Sequence, residues 1–355
     1  MAPDTRCQFL DNNENNEYNA NNEKIAQNTK QGVIRLSKKK NHQSEIFDIQ
    51  RKIVANMTSE SWEQIPHVSY LYEADVTDLL KTYRRVKEST KTNITINTVL
   101  IKLIVESLKA APKLNSHLDF KRRLVQGELK TFDSINVSMP MLLPDGRMMT
   151  VNLMDFQNKS LIAMAEYISE VARRMKNTDL NEVMYEVSLS DTMDGLKDGN
   201  IKQAFYRLVG SKFGKHKVKT KQGSERRKYY SIPEKDRLTK EDIEQGTVTI
   251  SNLGSLYREQ KGFGTLIEIV PPQVCAFALG AVQDKPVVIT DQHGNKSVQI
   301  RRILPITIVF DHRALDFGDV VPFIRQMDNY LTNPEVLQEW RGQDIVRKIE
   351  TKEGE

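Results

Sequence analysis

The sequence predicts a mixed α/β fold, an α+β two-layer sandwich built as one large domain. Three observations point there. Helix-period segments are interspersed with strand-like runs, the strands are mainly not neighbours in sequence, and no internal repeat divides the 355 residues. The length allows a sizeable core, while 39% hydrophobic and 28% charged residues describe a globular body that also carries solvated segments.

Residues 1–43 have almost nothing to bury. Their stretch "NNENNEYNANNEKIAQN" is Asn-rich and low in complexity, which predicts a disordered tail. The folded part is expected over 44–345. It opens with a helix in "SEIFDIQRKIVANMTSES", with Ser44 as N-cap. A strand follows in "HVSYLYEADVT", with Tyr70, Tyr72 and Ala74 on one side. Two helices come next, "VTDLLKTYRRVKEST" and the mostly apolar "TINTVLIKLIVESLKAAP", whose composition predicts burial. "RRLVQGELKTFDSINVSMPMLL" reads as strands around a turn at Gln126-Gly127, and residues 144–147, "PDGR", as another turn. "SLIAMAEYISEVARRMKN" is an amphipathic helix.

Residues 180–235 then change character and read as a basic insertion. A strand resumes in "GTVTISNLG", followed by a series of strands from "PPQVCAFALGA" to "ILPITIVF" with a turn at His293-Gly294-Asn295. The last helix, "DVVPFIRQMDNYLTNP", places Val321, Ile324, Met327 and Leu331 on one face. It keeps Pro322 in the first turn, where no amide donor is missed. Residues 346–355 form a charged tail.

The formal charge of +5 is concentrated. Residues 212–228 alone carry +7, so any argument for an acidic partner belongs to that segment. Cys7 lies in the polar tail and Cys275 in an apolar strand, so neither a disulfide framework nor a zinc cluster is expected, and a reducing cytoplasmic setting fits. No window has the apolar length of a membrane span, and the N-terminus lacks a secretory signal's apolar core. The six histidines form no metal-binding spacing, and no phosphate-binding loop, Rossmann fingerprint or nucleophile elbow occurs.

Two polar features remain. His312 follows "ILPITIVF" and so stands at the end of a buried strand. Partial desolvation there would favour the neutral imidazole that a general base needs. A histidine hydrogen-bonded at a strand end explains the same residues. Ser251, before Gly254, stands where a hydroxyl could donate to a developing oxyanion, or where a turn simply needs a serine.

Read in order, "RKIVANMTSESWEQIPHVSYLYEADVTDLL", "INTVLIKLIVESLKAAPKLNSHLD", "LLPDGRMMTVNLMDFQNKSLIAMAEYI", "GTVTISNLGS", "PPQVCAFALGA" and "FDHRALDFGD…YLTNPE" resemble the catalytic domain of the 2-oxo acid dehydrogenase complex acyltransferases. The resemblance covers roughly 45–340 apart from the insertion. It implies a chloramphenicol acetyltransferase-like fold, a homotrimer with its active site between subunits, and acyl transfer between coenzyme A and a dihydrolipoyl thiol. His312 then matches the family's base, and Ser251 its oxyanion-stabilising serine. Asp316 matches a structural aspartate that pairs with an arginine of the first helix, a place held here by Arg51. No covalent acyl-enzyme is implied, and no metal.

The chain also departs from that pattern. Phe317 separates Asp316 from Gly318 where the family has aspartate followed directly by glycine. No lipoyl or subunit-binding domain is expected within residues 1–43, so the acyl-bearing arm would come from a separate lipoyl or acyl-carrier protein. The charged end argues for a lone trimer. In the insertion, Lys215, Lys217 and Lys219 are candidates for the phosphates of coenzyme A or for an acidic carrier, and a solvated loop is the plainer alternative. Nucleic acid is disfavoured, because aromatics are sparse in the basic run. Three functions follow: a stand-alone acyltransferase, a non-catalytic trimeric scaffold, or a coenzyme A-dependent enzyme acting on a small-molecule hydroxyl or amine.

Overall fold

The structure, a computed structural model, describes residues 45–143, 146–197 and 220–342. The Asn-rich tail, most of the basic insertion, the charged C-terminal tail, and Lys215, Lys217 and Lys219 lie outside the described residues. The first described helix, α1, spans Ile49–Gln64. Asp48 caps it by accepting the Arg51 backbone N–H at 2.8 Å, so this helix starts later than expected from Ser44. A short carboxylate reaches the third amide of the helix and satisfies a donor that has no partner within the helix.

β1 (His67–Asp75) leads into α2 (Thr77–Glu88) and α3 (Ile96–Leu108). Every residue of α3 from Thr98 to Leu108 is buried, as its apolar composition predicts. It is buried together with two charged side chains. Lys102 pairs with Glu106 at 2.6 Å and donates to the Lys159 carbonyl at 2.7 Å, so the charges are buried as partners. β2 (Ser116–Lys121) and β3 (Gln126–Thr131) form a separate hairpin. Its loop is 122–125, one step before the expected Gln126-Gly127, because Lys121 pairs with Gln126 as the last rung.

The main sheet has seven strands. β4 (Val137–Leu142), β5 (Met148–Leu153), β6 (Val248–Asn252), β7 (Cys275–Leu279), β8 (Gln283–Thr290) and β9 (Lys296–Asp311) join β1 in the order β1-β9-β7-β6-β4-β5, with β8 also on β9. β4, β6 and β7 run parallel and the other pairs are antiparallel, so the sheet is mixed. Between β5 and β6 come α4 (Leu161–Lys176), α5 (Leu180–Lys197) and α6 (Gly223–Tyr230). The chain closes with α7 (Phe317–Thr332) and α8 (Val336–Trp340).

The alternation of β7 and β9 explains the layers. Cys275, Phe277, Leu279, Ile308 and Phe310 face the main core with the helices, whereas Ala276 and Val309 face the other way against Ile65 and Ile269. The expected mixed two-layer α/β arrangement is therefore present. α7 begins earlier than predicted, at Phe317, which moves Pro322 out of the first turn. Its fully buried residues are Val320, Phe323 and Met327, and of the expected face Met327 is in the core while Ile324 and Leu331 pack against it partly buried.

Candidate active site

β9 delivers His312. The strand is buried through Asp311 and held on both sides, His67 pairing with Asp311 and Cys275 with Phe310. Directly after it the chain turns outward. The His312 backbone N–H donates to the Pro66 carbonyl at 3.1 Å. Its Nδ1 lies 3.0 Å from the Leu315 carbonyl, a partner that can only accept. The proton therefore sits on Nδ1, and Nε2 keeps its lone pair free to take another.

The side chain of His312 is 52% exposed, which corrects the expectation of partial desolvation within the chain. The cause is local: burial ends with Asp311, and His312 is the first residue of the turn.

Asp311 and Arg313 flank the histidine and fix the turn. The Asp311 carboxylate is fully buried and receives Nε of Arg313 at 3.0 Å and a terminal guanidinium nitrogen at 2.7 Å. It also accepts the Arg313 backbone N–H at 2.9 Å. This clamp was not read from the sequence. Its signal was present, an acid and an arginine on either side of one histidine.

Asp316 stands at the N-cap of α7, and its Oδ1 lies 3.4 Å from His312 Nδ1. Its backbone N–H donates to the Asp319 carboxylate at 3.0 Å, and Lys113 approaches Asp319 at the same distance. Those two contacts hold the Asp319 carboxyl below the usual range. Among the described residues, the charged or polar side chain near the Asp316 carboxylate is His312, and Arg51 is exposed on α1. The expected Asp316–Arg51 pair is therefore not formed within the chain. The aspartate stands at the helix start, where the positive end of the helix dipole stabilises negative charge.

Phe317, the extra residue, is absorbed as the first residue of α7. Its ring packs against Tyr70 of β1 with centroids 5.0 Å apart. A side chain at Gly318 would meet nothing within 4 Å, so this glycine is not needed for space.

Ser251 is the fourth residue of β6 and is half-buried. Among the described residues its hydroxyl makes no hydrogen bond, leaving it free to donate. The strand end is tied down by its neighbours. Asn252 Nδ2 donates to Asn97 of α3 at 2.7 Å, and its Oδ1 accepts the Ser255 N–H at 2.9 Å. Gly254 lies against the Gly280 backbone so closely that a Cβ there would stand 2.3 Å from the Gly280 carbonyl oxygen.

Within one chain His312 and Ser251 do not meet. The register runs from Ser251 to Ala278 of β7 and from Ala278 to Thr307 of β9, while His312 lies beyond the far end of β9. At about 3.4 Å per residue and 4.8 Å per strand, the two side chains stand roughly 20 Å apart.

Of the other described histidines, His67 and His117 have structural partners, while His293 sits exposed in its expected turn. His67 Nδ1 donates to Ile65 O at 2.8 Å and its Nε2 accepts the Ile269 N–H at 3.0 Å. Burial pushes its pKa down, which suits a neutral ring. His117 approaches the Gly246 carbonyl at 3.1 Å, and burial lowers it too. Burial drives the Cys275 thiol far up, so it is packed as expected and is no nucleophile. Among the described residues no group of three or more metal-ligating side chains forms, and no helix is long and apolar enough to cross a membrane.

Comparison with known proteins places the fold and the family. The dihydrolipoyllysine-residue acetyltransferase component of the pyruvate dehydrogenase complex of Mycobacterium tuberculosis is 22% identical over 285 residues, which is 79% of this chain and 39% of that protein. The dihydrolipoyllysine-residue succinyltransferase component of the mitochondrial 2-oxoglutarate dehydrogenase complex of Bos taurus is 39% identical over 106 residues, 29% of this chain and 21% of that protein. The chain thus spans well under half the length of these relatives. The cubic core of a pyruvate dehydrogenase multienzyme complex superposes with a TM-score of 0.57 at 17% identity, covering 86% of this chain and 97% of that one. A dihydrolipoamide acetyltransferase of Azotobacter vinelandii, studied for the catalytic roles of a serine, a histidine and an asparagine, gives 0.55 at 18% identity, covering 84% and 94%. The model of the 2-oxoacid dehydrogenases acyltransferase (catalytic domain) family matches residues 38–186 and 224–338, breaking only inside the basic insertion, and the chain belongs to that family.

Proposed function

We propose that this chain is an acyltransferase that moves an acyl group between coenzyme A and a thiol of the dihydrolipoyl or carrier type. His312 is its base and Ser251 its oxyanion donor, and the two meet across the boundary between copies in a homotrimer. One observation carries the reading. His312 Nδ1 is committed to the Leu315 carbonyl at 3.0 Å, so Nε2 of this half-exposed side chain is left as the acceptor. A thiol with a pKa near 8.5 needs a base of near-neutral strength, which imidazole supplies.

The steps balance without an enzyme-bound acyl group. The attacking thiol gives its proton to His312 Nε2, and its sulfur bonds to the thioester carbonyl carbon. The carbonyl electron pair moves to oxygen, where the Ser251 hydroxyl donates to it. Collapse expels the second sulfur, which regains the proton from the imidazolium. The Asp311–Arg313 clamp keeps the turn in place throughout, and the nearby Asp316 carboxylate opposes the transient positive charge.

Supporting the shared site, the serine end carries exposed Leu256, Tyr257 and Phe263, apolar surface that a neighbouring copy would cover. The names of the relatives support the thiol chemistry. The scaffold reading leaned on Phe317, which the fold accommodates at the surface without displacing the histidine turn. The test is incubation with acetyl-CoA and dihydrolipoamide, reading the release of free coenzyme A. Unmodified protein is expected to turn over and His312→Ala to lose at least about 100-fold. Equal rates for the two would refute the reading.

A further inference from the structure

The hairpin of β2 and β3 stands apart from the main sheet and ends beside the histidine turn. Phe120, on its penultimate rung, lies under the Arg313 guanidinium at 5.9 Å from the ring centroid. Asp311 already clamps that guanidinium, so the hairpin leans on a fixed point next to His312. Beyond Phe120 the hairpin projects one more rung and then turns through residues 122–125.

The tip has an unusual composition. Lys121, Arg122 and Arg123 are exposed, and among the described residues none of the three makes a salt bridge or a side-chain hydrogen bond. Residues 121–126 contain no acid; Asp119 and Glu128 face each other lower on the shaft. Two apolar side chains follow the cations, Leu124 at 63% exposure and Val125 at 80%.

Val125 also adopts a φ of +50°, in the left-handed region. A β-branched residue there is strained, where glycine would not be. Among the described residues nothing repays the strain, because the side chain is in solvent. A strained, exposed apolar residue beside three free cations marks a contact surface.

We infer that this tip is the docking point for a folded, acidic carrier domain that brings the acyl thiol to His312. The inference rests on the proposed function, since it names the partner of that same site. Charge complementarity selects an acidic partner. Shape selects a folded protein, because a convex tip cannot enclose a small molecule such as the coenzyme A nucleotide, which needs a concave site. Leu124 and Val125 supply the apolar centre and the three cations the charged rim, the ordinary anatomy of a protein interface.

The experiment uses the full chain and, as probe, a reduced lipoyl domain of net negative charge. Binding is followed by NMR titration of the labelled domain, and transfer from acetyl-CoA is measured with either the domain or free dihydrolipoamide as acceptor. The double variant Arg122→Glu/Arg123→Glu is expected to raise the Kd and the KM for the domain at least about ten-fold. KM for free dihydrolipoamide and kcat should stay within about two-fold. Val125→Gly, which relieves the strained φ, is expected to keep or raise the melting temperature while weakening the domain several-fold. Unchanged Kd for the domain in the double variant would overturn the inference, and so would binding to anionic phospholipid vesicles in place of the domain. The titration stands apart from turnover. If the unmodified protein transferred to neither acceptor, the proposed function would fall, while a charge-dependent Kd would still establish the docking surface.

Discussion

The two ends of the sheet that carry the candidate catalytic side chains are finished to different degrees. At the end of β9 the histidine turn is complete within one chain. Pro66 holds its backbone, Leu315 fixes its ring, and the buried Asp311 clamps Arg313 beside it. At the end of β6 the strand is equally well tied, through Asn252 to Asn97, but the Ser251 hydroxyl has no partner among the described residues, and exposed Leu256, Tyr257 and Phe263 follow in the segment after it. One end holds its polar side chain by contacts within the chain, and the other leaves its hydroxyl without one. Under the proposed function, the difference implies a site assembled from two rigid halves, with little rearrangement needed in either.

The comparison can be broken at several points. His312→Ala should cause the largest loss, about 100- to 10,000-fold in kcat, because it removes the proposed general base. Coenzyme A release in steady state checks this. Ser251→Ala should cost about 100- to 1,000-fold in kcat with little change in KM, because the hydroxyl serves the oxyanion rather than the ground state.

Asp311→Ala should act differently, through stability first. It leaves the Arg313 guanidinium without its buried partner and should cost about 3–5 kcal/mol in denaturant unfolding. If it lost activity with no change in stability, the clamp would be catalytic rather than structural.

Acid should loosen the histidine end before the serine end. His67, the first rung beside Asp311, has a pKa lowered from 6.5 chiefly by burial. The unfolded chain therefore takes up a proton that the folded ring resists, so stability is full above about pH 6.5 and falls as pH drops below it. The denaturation midpoint should decline between pH 7.5 and 5.5, and less so in His67→Gln. The smallest effect is expected for Arg51→Ala, within about 0.5 kcal/mol, since that exposed side chain forms no ion pair with Asp316 inside the chain. A large loss of activity there would show that its partner lies in another copy.

Much of this was legible in the sequence. The apolar run before His312 fixed its place at a strand end, and the composition of α3 announced its burial. Ser251 was legible as a strand-end serine, and Cys275 as a packed thiol. What escaped was set by tertiary choice. The start of α1 depended on which polar residue reached the third amide, and Asp48 served where Ser44 was expected. The start of α7 depended on Phe317 finding Tyr70 on a distant strand, which carried Pro322 deeper into the helix. The exposure of His312 could not be read from its hydrophobic neighbours, because a single residue separates the buried Asp311 from the open turn. The roughly 20 Å between base and serine follows only from strand order, which no local pattern encodes.

Complementation between inactive copies is the most direct test. When His312→Ala and Ser251→Ala chains are co-expressed in equal amounts and mix freely in trimers, one interface in four joins an intact His312 to an intact Ser251. About a quarter of the unmodified activity should return. Activity no higher than that of either variant alone would contradict a site shared between copies.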